Sequence, residues 1–148
     1  MKTKTLVMIA IAITFSLITL AQKSPVFATD GIAIRGYDPV AFFKSSEAQK
    51  GAEVHEYSWQ GAKWRFATAA NRDSFALNPE KYAPQYGGYC AFGCMQGHKA
   101  PTQVDTWTIL DGKLYFNYNQ KVKELWSKDK KGYIAKADEQ WPKVKEDN

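Results

Sequence analysis

The chain reads as an α+β fold, a small single domain with two β-hairpins and several short helices, on the strength of three patterns. Residues 53–59 with 62–68, and 107–110 with 113–117, alternate polar with aromatic or apolar side chains around the dipeptides Gln60-Gly61 and Asp111-Gly112, each a hairpin signal. Asp38, Thr68 and Asn78 stand where side-chain oxygens cap short helices, two of them directly before a proline that suits a first turn. Near the C-terminus, Val122, Leu125, Trp126, Ile134, Ala137 and Trp141 keep helical spacing. Hairpins and helices that follow one another without a βαβ alternation make an α+β domain.

The first element is not part of that domain. Lys2 and Lys4 precede a weakly polar, uncharged run over residues 6–20, and Val26, Phe27 and Ala28 end the segment with small residues at the two positions a signal peptidase reads. Residues 1–28 are therefore expected to be a secretory signal, which places the protein in the periplasm or outside the cell. The competing reading, a retained anchor, has to span a bilayer that takes about 20 residues. No cysteine marks the boundary, so nothing points to a lipoprotein. The domain is then 29–148, long enough to bury its own core.

Within it, residues 32–34 suggest a short strand, and Asp38-Pro39 opens a helix through Phe43. The first hairpin follows. Thr68 caps a helix reaching Leu77, and Asn78-Pro79 stops it and begins a single turn. The second hairpin turns at Asp111-Gly112, and Gly132 is expected to divide the C-terminal helical region in two.

The formal net charge of +5 belongs partly to the leader: without Lys2, Lys4 and Lys23 it falls to +2. Eight lysines lie between Lys121 and Lys145, interleaved with acidic residues as on a solvated helical face. Nucleic acid is not an expected partner, nor is a membrane once the leader is gone.

The chemistry concentrates in YGGYCAFGCMQGH, residues 86–98, which holds both cysteines and one of the two histidines. Cys90, Cys94 and His98 recur at every fourth position, so on a helix they share a face, with the Met95 thioether beside them. Two thiolates, an imidazole and a thioether suit Cu(I); zinc would need a further strong ligand such as Asp105 or His55. The same pair invites a disulfide in an oxidising compartment, a weak staple and a natural redox switch. A Cys90 nucleophile with His98 as base and Asp105 as orienter is the loosest alternative. The fourth reading is packing: buried cysteine behaves as a small hydrophobe, and Trp59, Trp64, Phe66, Trp107, Tyr115 and Trp141 form an aromatic core. CxxxC without a following histidine excludes covalent c-type haem, and no GxSxG, HExxH or phosphate loop offers another catalytic centre.

Three blocks carry a resemblance. GYDPVAFF at 36–43, WQGAKWRFATAANRDSFALNPEKYAPQYGGYCA at 59–91 and DGKLYFNYN at 111–119 resemble the small secreted proteins of the YHS-domain family. The wider family is associated with metal handling through cysteines in a pattern like DPVCGM followed by FCSxxCxxxF. Here those three cysteine positions hold Ala41, after the matching Asp38-Pro39-Val40, and Ala67 and Asn71, between the matching Phe66 and Phe75. The resemblance thus implies the scaffold and not the usual metal site, and Cys94 is particular to this chain. The sequence points to a secreted or periplasmic binding module and not an enzyme, handling a soft metal such as copper or a thiol-redox reaction at Cys90, Cys94, His98 and Met95. The alternative is a structural or protein-interaction domain with inert cysteines and an envelope protein as partner.

Overall fold

The computed structural model describes residues 24–147. Residues 1–23 of the expected leader lie outside the described residues, whereas 24–28 belong to the folded body. A four-stranded sheet contains β1 (Ala28–Thr29), β2 (Ile32–Ala33), β3 (Ala52–Trp59) and β4 (Ala62–Phe66) in the order β1-β2-β4-β3. Its hairpins are antiparallel, and β2 joins β4 in parallel through Ile32 and Lys63. A separate hairpin pairs β5 (Gln103–Leu110) with β6 (Lys113–Asn117). With its short helices this is the expected α+β domain.

Three tight turns share one device. Asp30-Gly31, Gln60-Gly61 and Asp111-Gly112 all take positive φ, at 52° and 78°, 48° and 74°, and 51° and 71°. Both central residues must be left-handed for a turn whose twist matches its strands, and glycine in the second place lowers the strain. The β1–β2 turn carries the same Asp-Gly signal as the expected second hairpin, but its two-residue strands are too short to alternate visibly.

Helices begin where the capping side chains stand. Asp38 accepts from the backbone of Val40 and Ala41 to start α1 (Pro39–Lys44), Thr68 accepts from Asn71 to start α2 (Ala69–Leu77), and Asn78 accepts from Lys81 to start α3 (Pro79–Tyr82). Next come α4 (Ala91–Met95), α5 (Gln120–Ser127) and α6 (Lys130–Val144). The break between the last two falls at Lys128-Asp129, not at Gly132. The Asp129 carboxylate caps α6 by accepting from Gly132 N–H at 3.0 Å, and a Cβ on Gly132 would collide with it. Glycine there serves the cap of one helix.

The second hairpin is longer than its alternation suggested because β5 carries a register shift between Gln103 and Thr108. The buried Thr106 hydroxyl repairs the ladder, accepting from Asn117 N–H at 2.8 Å and donating to the Gln103 carbonyl at 2.6 Å. Strand β6 is buried on both faces and separates two apolar clusters. Leu114 and Phe116 pack with Val26, Phe42, Trp64, Phe66 and Phe75; Tyr115 packs with Tyr86, Cys94, Trp126 and Ala137. Among the described residues no helix is long and apolar enough to cross a membrane.

Candidate functional site

The cysteine segment does not form the face that its spacing predicts. Helix α4 is one turn long and ends at Met95; Gln96 closes it and Gly97 follows at φ +88°. Glycine in the left-handed region is a helix stop. His98 therefore lies beyond the helix, exposed, its N–H donating back to the Gly93 carbonyl at 3.1 Å. The cysteines are 1% and 0% exposed.

Each sulfur has a structural occupation. Cys90 is the N-cap of α4: its Sγ accepts from Gly93 N–H at 3.4 Å and its thiol faces the Asn117 carboxamide oxygen at 3.6 Å. Its backbone also pairs with Phe116 of β6. Cys94 packs in the second cluster beside Tyr89, Tyr115 and Trp126. No disulfide joins the two cysteines in the structure. Burial pushes the Cys94 thiol up to about 12, with the neighbouring Cys90 adding to the rise and Lys99 opposing it. Burial also raises Cys90, only partly offset by the N–H groups around it. The thiolate is the form that attacks or ligates, and this environment holds the proton on.

The other expected ligands are elsewhere. Met95 packs partly buried against the second cluster. His55 is half-buried on β3, and exposed Asp105 receives a hydrogen bond from Gln120 at 3.1 Å. Among the described residues no group of three or more His, Cys, Asp or Glu side chains is placed to hold a metal ion. The geometry thus brings Cys90 and Cys94 together, leaves the His98 ring exposed where it folds back over Gly93, and keeps Asp105 elsewhere.

A different convergence occurs at Asp38, which is fully buried. Its carboxylate accepts from Val40 N–H, Ala41 N–H, Ala67 N–H at 2.9 Å and the Asn71 carboxamide at 2.7 Å. Ala41, Ala67 and Asn71 are the three positions where the resembled metal pattern has cysteine. In this chain they close a hydrogen-bond network that ties α1, the end of β4 and α2 together. A buried carboxylate with four donors is fully compensated.

A concave feature lies away from both. A cleft of about 540 Å³ opens between the two clusters, with Trp59 and Trp64 on one side and Tyr86 and Trp141 on the other. Trp59, at the end of β3, stacks edge-on against Phe75 at 5.7 Å and lies 5.8 Å from Trp64. Trp141, on α6, meets Tyr86 edge-on at 5.8 Å. Tyr86 is fixed in turn by donating its hydroxyl to Asp138 at 2.8 Å, and burial followed by that carboxylate raises its pKa well above the ordinary phenol. Gln60, Glu80, Gln85, Lys145 and Glu146 supply amides and mixed charge to the lining. Trp59 and Trp141 were expected as core; both are half-buried. Their strand and their helix are distant in sequence, so no local spacing announces the cleft.

Compared with family models, curated proteins and solved structures, the chain matches none.

Proposed function

We propose that the protein is a non-catalytic binding module whose working surface is the cleft between Trp59 and Trp141, and that its cysteines are structural. The carrying observation is the cleft itself: its volume lies in the range of small-molecule sites, and it is bordered by the half-buried rings of Trp59 and Trp141. Aromatic rings held by ring-to-ring packing present a rigid apolar surface at little entropic cost. The lining mixes Gln60 and Gln85 with Glu80, Glu146 and Lys145, so it carries no strong field of one sign. A neutral ligand with an apolar face and a hydroxyl or amide edge complements that lining, and a sugar ring has both. The YHS-like scaffold and an envelope location fit this reading as proposals of the same kind.

Copper or thiol-redox handling at Cys90, Cys94, His98 and Met95 draws no support from the geometry, because the sulfurs are buried where the proton is held on and, among the described residues, no three His, Cys, Asp or Glu side chains converge with them. Tryptophan fluorescence during titration with N,N′-diacetylchitobiose and with cellobiose tests the proposal. Saturable change is expected with at least one, weakened about tenfold or more in Trp141→Ala and Gln85→Ala. Tenfold corresponds to about 1.4 kcal/mol of lost binding free energy. No saturable change with either sugar in folded protein overturns the sugar assignment.

A further inference from the structure

The residues just before β1 are built into the domain. Val26 is fully buried in the first cluster and Phe27 is 9% exposed in the second. Phe27 N–H donates to the Gly87 carbonyl at 2.9 Å, and its own carbonyl accepts from Ile34 N–H at 3.0 Å. The Tyr89 hydroxyl donates to the Ser24 carbonyl at 2.9 Å. The Phe27 ring lies 5.7 Å from Tyr89, with the Arg35 guanidinium 5.3 Å from its centre.

Gly87, opposite, is shaped to this segment, and Gly88 to the Ile34 side chain that follows it. Gly87 stands at φ +62°, and a Cβ there would run into the Pro25 carbonyl; a Cβ on Gly88 would strike Ile34. Tyr86, Gly87, Gly88 and Tyr89, read from sequence as the approach to the cysteines, are the seat of the segment. Pro25 also forms part of the cleft wall. A chain cut after Ala28 loses a fully buried valine, a phenylalanine and the partners of Gly87 and Tyr89, leaving a cavity and unpaired groups.

We propose that the secretory leader ends before Ser24, at the Ala21–Gln22 bond, and that residues 24–28 stay on the mature protein as core and cleft wall. Thr19 and Ala21 provide small residues at the two positions read for cleavage. A signal peptidase hydrolyses that amide with one water, leaving the Ala21 carboxylate on the leader and a free amine on Gln22. The inference rests on the expected leader and moves its end upstream of Ala28.

The full chain is exported and purified, and intact mass and thermal unfolding are compared for wild type, Phe27→Ala and Phe27→Leu. A product starting at Gln22 is expected, with each variant shifted in mass by its substitution and Phe27→Ala melting about 10 °C lower. Phe27→Leu carries the mass readout if the alanine variant does not accumulate. A product starting at Thr29, with variants identical to wild type in mass and melting, overturns the inference. An uncleaved chain of 148 residues also overturns it, by removing the leader itself.

Discussion

Cys90 and Cys94 are at most 1% exposed, whereas Trp59 and Trp141, the bulkier and more apolar pair, are half-buried and border an open cleft. Reactive side chains sit in the interior, and side chains that normally fill an interior pack at its edge, partly exposed to the cleft. Around the thiols the fold supplies a cap contact, a strand pairing and a protonating environment. Around the tryptophans it supplies rigid walls and room. Residue type alone therefore misplaces the site; access and protonation decide which groups act.

The sharpest way to break this contrast is to exchange sulfur for oxygen. Cys94→Ser buries a hydroxyl in an apolar cluster and is expected to cost about 2 kcal/mol in chemical denaturation. Cys90→Ser should cost less than about 1 kcal/mol, because serine is a favoured N-cap and its hydroxyl can face the same Asn117 oxygen. Equal costs would show that the two sulfurs do not differ as described.

The next test leaves the site alone. Gly112→Val, at φ +71° with no atom near its Cβ position, is expected to destabilise by about 1 kcal/mol through backbone strain. An unchanged midpoint would remove the left-handed turn from the account.

A smaller effect follows from pH. Cys94 holds its proton to about 12 in the folded state against an ordinary 9.0, so the native state binds more protons above pH 9. Its contribution is complete below that and is lost as pH rises from about 9 to 12. Cys94→Ala should flatten part of that loss, while Tyr115, raised from 10.0 to about 12 chiefly by burial, together with Tyr86, Tyr89 and Cys90, which burial also raises, keeps the remainder. An identical slope in the variant would contradict a buried, protonated Cys94.

Much of the fold was legible because its signals are local. Asp38, Thr68 and Asn78 cap the helices they were read to cap, and the Gln60-Gly61 and Asp111-Gly112 turns close the two expected hairpins. The site was less legible. Spacing at every fourth residue suggested a helix through His98, but Gly97, visible in the sequence, ends it. Trp59 on β3 and Trp141 on α6 line one cleft only through the tertiary fold, which no window of sequence contains.

The central claim is that the cleft binds and the thiols do not. Amide chemical-shift mapping of the reduced, isotope-labelled protein tests it most directly, with N,N′-diacetylchitobiose, cellobiose and Cu(I) added in separate titrations. The account predicts saturable shifts with sugar at Trp59, Gln60, Gln85, Gly87 and Trp141, with Cys90, Cys94 and His98 unmoved by one equivalent of Cu(I) in the folded protein. Stoichiometric Cu(I) shifts centred on Cys90 and Cys94, with the tryptophan walls silent to both sugars, would contradict it.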